Sequence, residues 1–193
     1  MRLFVAIELS EVARLHIAGL ARNLRERTTH HGLSWVRPEN LHITVKFLGE
    51  VSDDRLPALC SALGEVAAEG RAALHADRLE FFPPRGPIRV VAMGLGGDVG
   101  RVNHLHHSIE DHCARVGFPL DGRLYRPHVT LVRCRNPLRA QERESWERAA
   151  EAHLPGPEFV ASEFVLMESR LKPEGAQYIP LARFPLNAPS TSG

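Results

Sequence analysis

Two short segments of the sequence carry the same set of chemically useful side chains. Each reads His-apolar-Thr-apolar, with His42 and Thr44 in the first and His128 and Thr130 in the second, 86 residues apart. Side chains alternate between the two faces of a β-strand, so each histidine shares a face with its threonine. An imidazole has an ordinary pKa of about 6.5 and exchanges protons near neutral pH. Two such groups on either side of a reacting centre suit concerted acid–base catalysis.

The threonines and nearby cations extend this chemistry to a phosphate. A threonine hydroxyl can donate to a non-bridging phosphate oxygen, and cations offset the charge of a phosphoryl group. Strand alternation predicts that Lys46 lies on the same face as His42, whereas Arg133 reaches the face of His128 only if its strand bulges or ends. The cations close to the two segments are Arg37, Lys46, Arg126, Arg133 and Arg135.

A second group of histidines raises the alternative of a metal site. His104, His107 and Asp111 fall on one stripe of a predicted helix that also carries His106 and His112. Zinc ligands on a helix need inward-facing positions and supporting hydrogen bonds, which a solvated face does not supply. We therefore interpret the stripe as a solvated face and predict no metal and no cofactor.

Glycines and aromatic residues offer two further alternatives. The run from Gly96 to Gly100 lacks the lysine and hydroxyl of a phosphate-binding loop, so we interpret it as a turn from a strand to a helix. Trp35 is the best candidate for an aromatic wall of a cleft. Phe4 and Tyr125 could also stack on a base, but they are more typical of core residues.

Composition limits the class of protein. The chain has 193 residues, with 24 Lys and Arg against 23 Asp and Glu, giving a net charge of +1. This balance argues against a protein that binds nucleic acid through its overall charge, but it is compatible with a local site that binds one phosphate. Cys60, Cys113 and Cys134 are scattered, which is typical of free thiols in a reducing cytoplasm. The sequence has no recognisable targeting or membrane-spanning segment, and nothing in it demands a dimer, so we expect a cytoplasmic monomer.

The pattern of apolar residues predicts an α+β protein with about seven strands and four helices. Because the two histidine segments lie almost half the chain apart, we expect a duplication with two pseudo-symmetric lobes facing one cleft. One two-lobed domain is expected over residues 1–187, followed by a disordered tail at 188–193. Strands are predicted at 3–9, 41–48, 74–82, 88–95, 128–134, 159–167 and 178–184, and helices at 11–27, 56–70, 100–115 and 141–151.

The blocks around the two histidines resemble a known family. Residues 2–7, 35–50 and 126–133, with a closing segment at 166–186, are similar to the bacterial and archaeal RNA 2',3'-cyclic phosphodiesterases. That family, also called 2'-5' RNA ligases, belongs to the 2H phosphoesterase superfamily. The resemblance implies a bilobal α+β fold with a cleft between two antiparallel sheets. It also implies metal-independent hydrolysis of RNA 2',3'-cyclic phosphates to 2'-phosphomonoesters.

The resemblance also implies roles for individual residues. His42 would donate a proton to the leaving ribose 3'-oxygen, and His128 would activate water. Thr44 and Thr130 would hold the phosphate, and Arg133 would add a phosphate contact. The acid and base assignment comes from the resemblance only, because the repeat itself does not distinguish the two histidines. The sequence departs from the family at Arg126, where an aromatic residue often precedes the Pro-His pair.

Two other activities remain open at this point. The family resemblance also implies reversible joining of tRNA halves through a 2'-5' bond, which is the same chemistry run backwards with a 5'-hydroxyl in place of water. A binding module for RNA ends that has lost turnover is the third interpretation.

Overall fold

A computed structural model describes residues 1–66, 70–173 and 175–187, so the predicted tail at 188–193 lies outside the described residues. The strands are β1 (Arg2–Glu8), β2 (Leu33–Trp35), β3 (His42–Glu50), β4 (Ala72–Phe82), β5 (Ile88–Gly97), β6 (His128–Leu138), β7 (Phe159–Ala161), β8 (Glu163–Lys172) and β9 (Gly175–Pro185). The α-helices are α1 (Glu11–Glu26), α2 (Leu56–Gly64), α3 (Val99–Arg115) and α4 (Ala140–Glu151), and two 3₁₀ turns span Pro38–Asn40 and Asp53–Arg55.

The strands form one antiparallel sheet that divides into two halves. Its order is β7-β4-β5-β6-β3-β1-β8-β9, with β2 added beside β6. The first half holds β1, β3, β8 and β9, and the second holds β2, β4, β5, β6 and β7. A single residue pair, Ile43 with Val129, joins β3 to β6 between the halves. The predicted α+β fold with two related halves is confirmed.

The helices tie the two halves together. Helix α1 begins after Ser10, whose hydroxyl accepts a hydrogen bond from the Ala13 N–H at 3.2 Å, as expected of an N-cap. It packs against α4 and β4 of the second half, whereas α3 packs against β3 of the first half. One hydrophobic cluster therefore runs through both halves. It includes Ile43 and Val45 of β3 and Val129 and Leu131 of β6.

The two histidine strands are buried in the same way. The nine residues that begin at His42 and the nine that begin at His128 show the same order of burial. Half-buried and buried positions alternate over the first four residues, the fifth is buried as well, and the sixth is exposed. The pairing register skips Val45 in β3 and Leu131 in β6. Each strand therefore carries a β-bulge, in which one extra residue reverses the alternation of faces beyond it.

Two predicted elements were wrong in detail, and one strand was missed. The strand expected at 159–167 is two strands, because Phe159–Ala161 pairs with β4 at one edge of the sheet while Glu163–Lys172 pairs with β1 in the other half. The short strand β2 was missed, since only its pairing with β6 defines it. Helix α2 ends at Gly64 rather than near residue 70. Among the described residues, no helix has the length and apolar character needed to cross a membrane.

Candidate active site

The junction of the two halves brings the predicted site residues together. The antiparallel register through Ile43 and Val129 sets His42 opposite Thr130 and His128 opposite Thr44. The two histidines are thus diagonal neighbours on one face, a relation that places Cα atoms about 7 to 8 Å apart and Cβ atoms somewhat closer. Their apolar neighbours face the opposite side, where they join the core.

His42 is held by hydrogen bonds at both ring nitrogens. Nδ1 donates to the carbonyl oxygen of Asn40 at 2.8 Å, and Nε2 lies 2.9 Å from the hydroxyl oxygen of Thr44. Because a carbonyl only accepts, Nδ1 carries the proton in the neutral ring. Nε2 then accepts from the Thr44 hydroxyl. The atom that would exchange a proton with a substrate is therefore Nε2.

Aromatic rings enclose His42. The ring of Phe4 lies 5.0 Å from the imidazole centroid, and the ring of Tyr178 stands edge-on at 5.2 Å. Burial lowers the pKa of His42 below its ordinary 6.5, and the charges of Arg133 and of a protonated His128 lower it further. The hydrogen bond to Asn40 and the carboxylate of Glu8 act in the opposite direction without reversing the shift. At neutral pH, the neutral form of His42 is therefore favoured in the ligand-free protein.

His128 repeats the backbone hydrogen bond of His42 in a different setting. Its Nδ1 donates to the carbonyl oxygen of Arg126 at 2.7 Å, again two residues before the histidine. Nε2 is again the atom left for chemistry. The ring packs against one aromatic side chain, Phe82, at a centroid distance of 5.1 Å. His128 is half-buried.

The two bulges decide which side chains beyond the threonines reach the cleft. After the extra residue in each strand, Phe47 of β3 and Arg133 of β6 return to the histidine face, and both are exposed. This meets the condition stated for Arg133, which needed a bulged strand. The same bulge turns Lys46 to the core, so its predicted place beside His42 was wrong.

Lys46 is occupied elsewhere. Its Nζ lies 2.6 Å from Glu110 Oε1 and donates to the Pro119 carbonyl at 2.9 Å, and its side chain is only 2% exposed. Arg126 lines the cleft, but Arg37 and Arg135 are not among the described residues that line it. Lys46 also lines the cleft, but it is buried and paired with Glu110. Of the five cations predicted near the phosphate, Arg133 and Arg126 are the exposed ones that line the cleft.

Two cavities meet between the histidines. One, of about 470 Å³, contains His42, Phe4 and Tyr178, and the other, of about 320 Å³, contains His128, Phe82 and Tyr125. They form one cleft because four residues line both cavities: Thr44, Phe47, Thr130 and Arg133. The predicted phosphate-binding residues thus lie where a group between the two imidazoles would contact them.

A larger hollow of about 780 Å³ lies beside α4 and touches the cleft at Phe82 and Arg126. Its other arginines are already paired, Arg78 with Asp77 at 2.5 Å and Arg143 with Glu147 at 3.0 Å. This hollow is therefore poorly suited to phosphate despite its size.

The structure reassigns several aromatic residues. Trp35, predicted as a cleft wall, instead packs against Trp146 with ring centroids 5.5 Å apart. Phe4 belongs to a small apolar cluster on the cleft face of β1 and β8, away from the main core. Sequence reasoning missed the roles of Phe82 and Asn40. The repeat held a signal for Asn40, since it and Arg126 both precede their histidine by two residues.

The helix stripe that resembled a zinc site faces solvent. His104, His107 and Asp111 are exposed on α3, as a solvated face requires, and the described residues contain no group of three ligands able to hold a metal. His106 differs from its neighbours. It is buried, its Nδ1 donates to the Val45 carbonyl at 2.8 Å, and its ring stacks on Tyr125 at 4.0 Å.

Comparison with known proteins identifies the family. The LigT-like phosphoesterase family matches residues 7–92 and 98–178, and the chain belongs to that family. An RNA 2',3'-cyclic phosphodiesterase of Archaeoglobus fulgidus is 30% identical over 186 residues, covering 95% of this chain and 99% of the relative. One from Geobacillus stearothermophilus is 28% identical over 186 residues, covering 95% of this chain, which spans only 56% of that longer relative.

Solved structures agree with this placement. The crystal structure of Escherichia coli LigT complexed with 3'-AMP has a TM-score of 0.74 and 26% sequence identity, covering 96% of this chain and 97% of that one. The resemblance to the 2H phosphoesterases that the sequence suggested is confirmed, and the fold is that of a LigT-like phosphoesterase.

Proposed function

We propose that this protein hydrolyses RNA 2',3'-cyclic phosphate ends to 2'-phosphomonoesters through its two histidines, without a metal. The observation that carries the proposal is the mirrored pair of imidazoles. Each donates Nδ1–H to the carbonyl two residues earlier and turns Nε2 to the shared cleft. The names of the relatives, and the 3'-AMP complex of LigT, favour an RNA-derived phosphate over other phosphoesters.

The proposed reaction needs one proton taken and one given. His128 Nε2 removes a proton from water as the water oxygen attacks phosphorus. The bond from phosphorus to the ribose 3'-oxygen breaks, and His42 Nε2 delivers its proton to that oxygen. The products are a 2'-phosphomonoester and a free 3'-hydroxyl, and solvent restores the two starting protonation states.

The threonines and Arg133 would stabilise the phosphoryl group. Their side chains line both cavities, so they surround the position between the two imidazoles. Hydroxyl and guanidinium donors placed where negative charge develops lower the barrier, because they need no reorganisation during the reaction.

Binding of substrate would also prepare His42 as an acid. In the ligand-free protein its pKa lies below 6.5, and Nε2 accepts from Thr44. A phosphate anion between the histidines offsets the charge of Arg133 and raises the pKa of His42. The Thr44 hydroxyl then donates to a phosphate oxygen, which frees Nε2 for the proton it must deliver.

A product assay tests the proposal. The protein is incubated with an oligonucleotide ending in a 2',3'-cyclic phosphate, with EDTA present, and the products are separated by chromatography beside 2'- and 3'-phosphate standards. We expect the 2'-phosphate alone. His31→Ala serves as a matched control, since His31 is an exposed histidine outside the cleft.

The other results point elsewhere. Complex formation without turnover would favour a binding module, and loss of activity in EDTA would bring a metal into the reaction. Adding an RNA with a free 5'-hydroxyl tests the reverse reaction, since a 2'-5'-joined product would identify ligation as a second activity of the same site. A 3'-phosphate product would contradict the assignment of the leaving oxygen.

A further inference from the structure

A buried ion pair beside the cleft has no part in the proposed proton transfers. Lys46 Nζ lies 2.6 Å from Glu110 Oε1, and the two side chains are 2% and 6% exposed. Taking two charges out of water costs free energy that their attraction does not always repay, and apolar residues of similar size often stabilise a fold as well. The pair therefore calls for an explanation other than stability.

The remaining hydrogen bonds of the pair converge on one segment. Lys46 Nζ donates to the Pro119 carbonyl at 2.9 Å, and Glu110 Oε2 accepts from the Asp121 N–H at 2.9 Å. Residues 119–127 contain no helix or strand and lead directly into His128. The backbone that enters the second catalytic strand is thus held by a residue of β3 and a residue of α3.

The same segment meets β3 at a second place. The Tyr125 hydroxyl donates to the Thr44 carbonyl at 3.0 Å, and its ring stacks on His106, which in turn donates to the Val45 carbonyl. The next residue, Arg126, supplies the carbonyl that holds His128 Nδ1. Segment 119–127 is therefore fixed to the strand of the other histidine on one side and orients His128 on the other.

We infer that Lys46 and Glu110 are positioning residues, which hold segment 119–127 and so set His128 against His42 and Thr44. A device of this kind is needed because only one residue pair joins β3 to β6. The repeat supports this interpretation, since the position on β6 that matches Lys46 is Val132, an ordinary core residue. The ion pair therefore occurs in one half, and the strand pattern that the two halves share does not need it.

The inference rests on the proposed function, and a pair of variants separates positioning from stability. Lys46→Met with Glu110→Leu removes both charges and keeps an apolar core, whereas Glu110→Gln leaves one carbonyl oxygen, which can accept from Lys46 or from the Asp121 N–H but not from both. We expect the double variant to fold with near-wild-type thermal stability yet lose about tenfold to a hundredfold in kcat with little change in KM, because small displacements of catalytic groups are costly. Glu110→Gln should lose less.

Amide hydrogen exchange gives a readout that does not depend on activity. We expect faster exchange across 119–125 in the double variant, with the strands of the sheet unchanged. Wild-type kcat together with wild-type protection of this segment in the folded double variant would overturn the inference. If the double variant does not fold, Glu110→Gln is the test. A lowered kcat with faster exchange at the Asp121 amide would support the inference, and wild-type values of both would overturn it. Should the wild-type protein fail to open a cyclic phosphate, the proposed function falls, and exchange still decides whether the pair holds the segment.

Discussion

The two halves of the cleft share a strand pattern but not a setting. His42 and His128 begin strands with the same sequence of buried and exposed positions and the same hydrogen bond to a carbonyl two residues back. Around His42 stand two aromatic rings and a threonine hydroxyl, whereas His128 has one ring beside it. Beyond the bulge, five residues after each histidine, β3 has Phe47 and β6 has Arg133. The repeat supplies the reactive groups, and the surroundings make them unequal.

The strongest test of this comparison removes each histidine in turn. His42→Ala and His128→Ala should each lower kcat for a cyclic phosphate by about a hundredfold to ten-thousandfold, the usual contribution of one acid or base. The double variant should be little worse than either single one, because the two act as a unit. Steady-state kinetics measure this, with His31→Ala as the control. Additive losses would mean that the halves work independently.

The threonines should matter less. Thr44→Val and Thr130→Val each remove a hydroxyl that would donate to a charged oxygen, so we expect kcat/KM to fall by about tenfold to a hundredfold. Thr44→Ser and Thr130→Ser keep the donor and should retain most activity. Equal losses in the serine and valine variants would assign the effect to packing rather than to the hydroxyl.

A pH titration sharpens the contrast between the two histidines. Burial against Phe4 and Tyr178 lowers the pKa of His42, so Tyr178→Leu should raise it toward 6.5. The break that His42 causes in a plot of log kcat/KM against pH should move upward with it. Imidazole titration by NMR measures the pKa directly. Phe82→Leu, on the His128 side, is the matched control. An equal rise in the pKa of His42 in that variant would contradict a local effect of Tyr178.

The smallest effect concerns stability. Burial lowers the pKa of His106, so its neutral form is favoured in the folded protein and protonation favours unfolding. The contribution of neutral His106 to the free energy of unfolding is complete above the pKa of about 6.5 that histidine has in the unfolded chain. It is lost as the pH falls below that value. His106→Gln should therefore show a smaller drop in Tm between pH 7.5 and 5.5 than the wild type. His107→Gln, at an exposed neighbouring position, should keep the full drop.

Most of the site could be predicted because the two His-apolar-Thr segments are local strand patterns. Alternation alone placed four side chains on one face. It failed at Lys46, since a bulge depends on pairing with a neighbouring strand and leaves no mark in the pattern of apolar residues. The same limit applies to Arg133, whose place could only be stated as a condition.

Tertiary pairing also explains the other errors. Trp35 packs on Trp146, and nothing in the 110 residues between them predicts that contact. The expected strand at 159–167 is continuous in sequence, yet its two parts pair in different halves of the sheet, one with β4 and the other with β1. Helix positions were simpler, because a capping serine such as Ser10 acts on residues only three positions away.

The single residue pair that joins β3 to β6, Ile43 with Val129, has a consequence for how such a cleft could arise. Each histidine stands across from the threonine of the opposite strand, so the reacting position belongs to neither half. A half-length ancestor would have had to self-associate through this strand edge to bring two imidazoles together. Within one polypeptide the two copies need not stay alike, and here one carries an aromatic enclosure while the other carries a guanidinium.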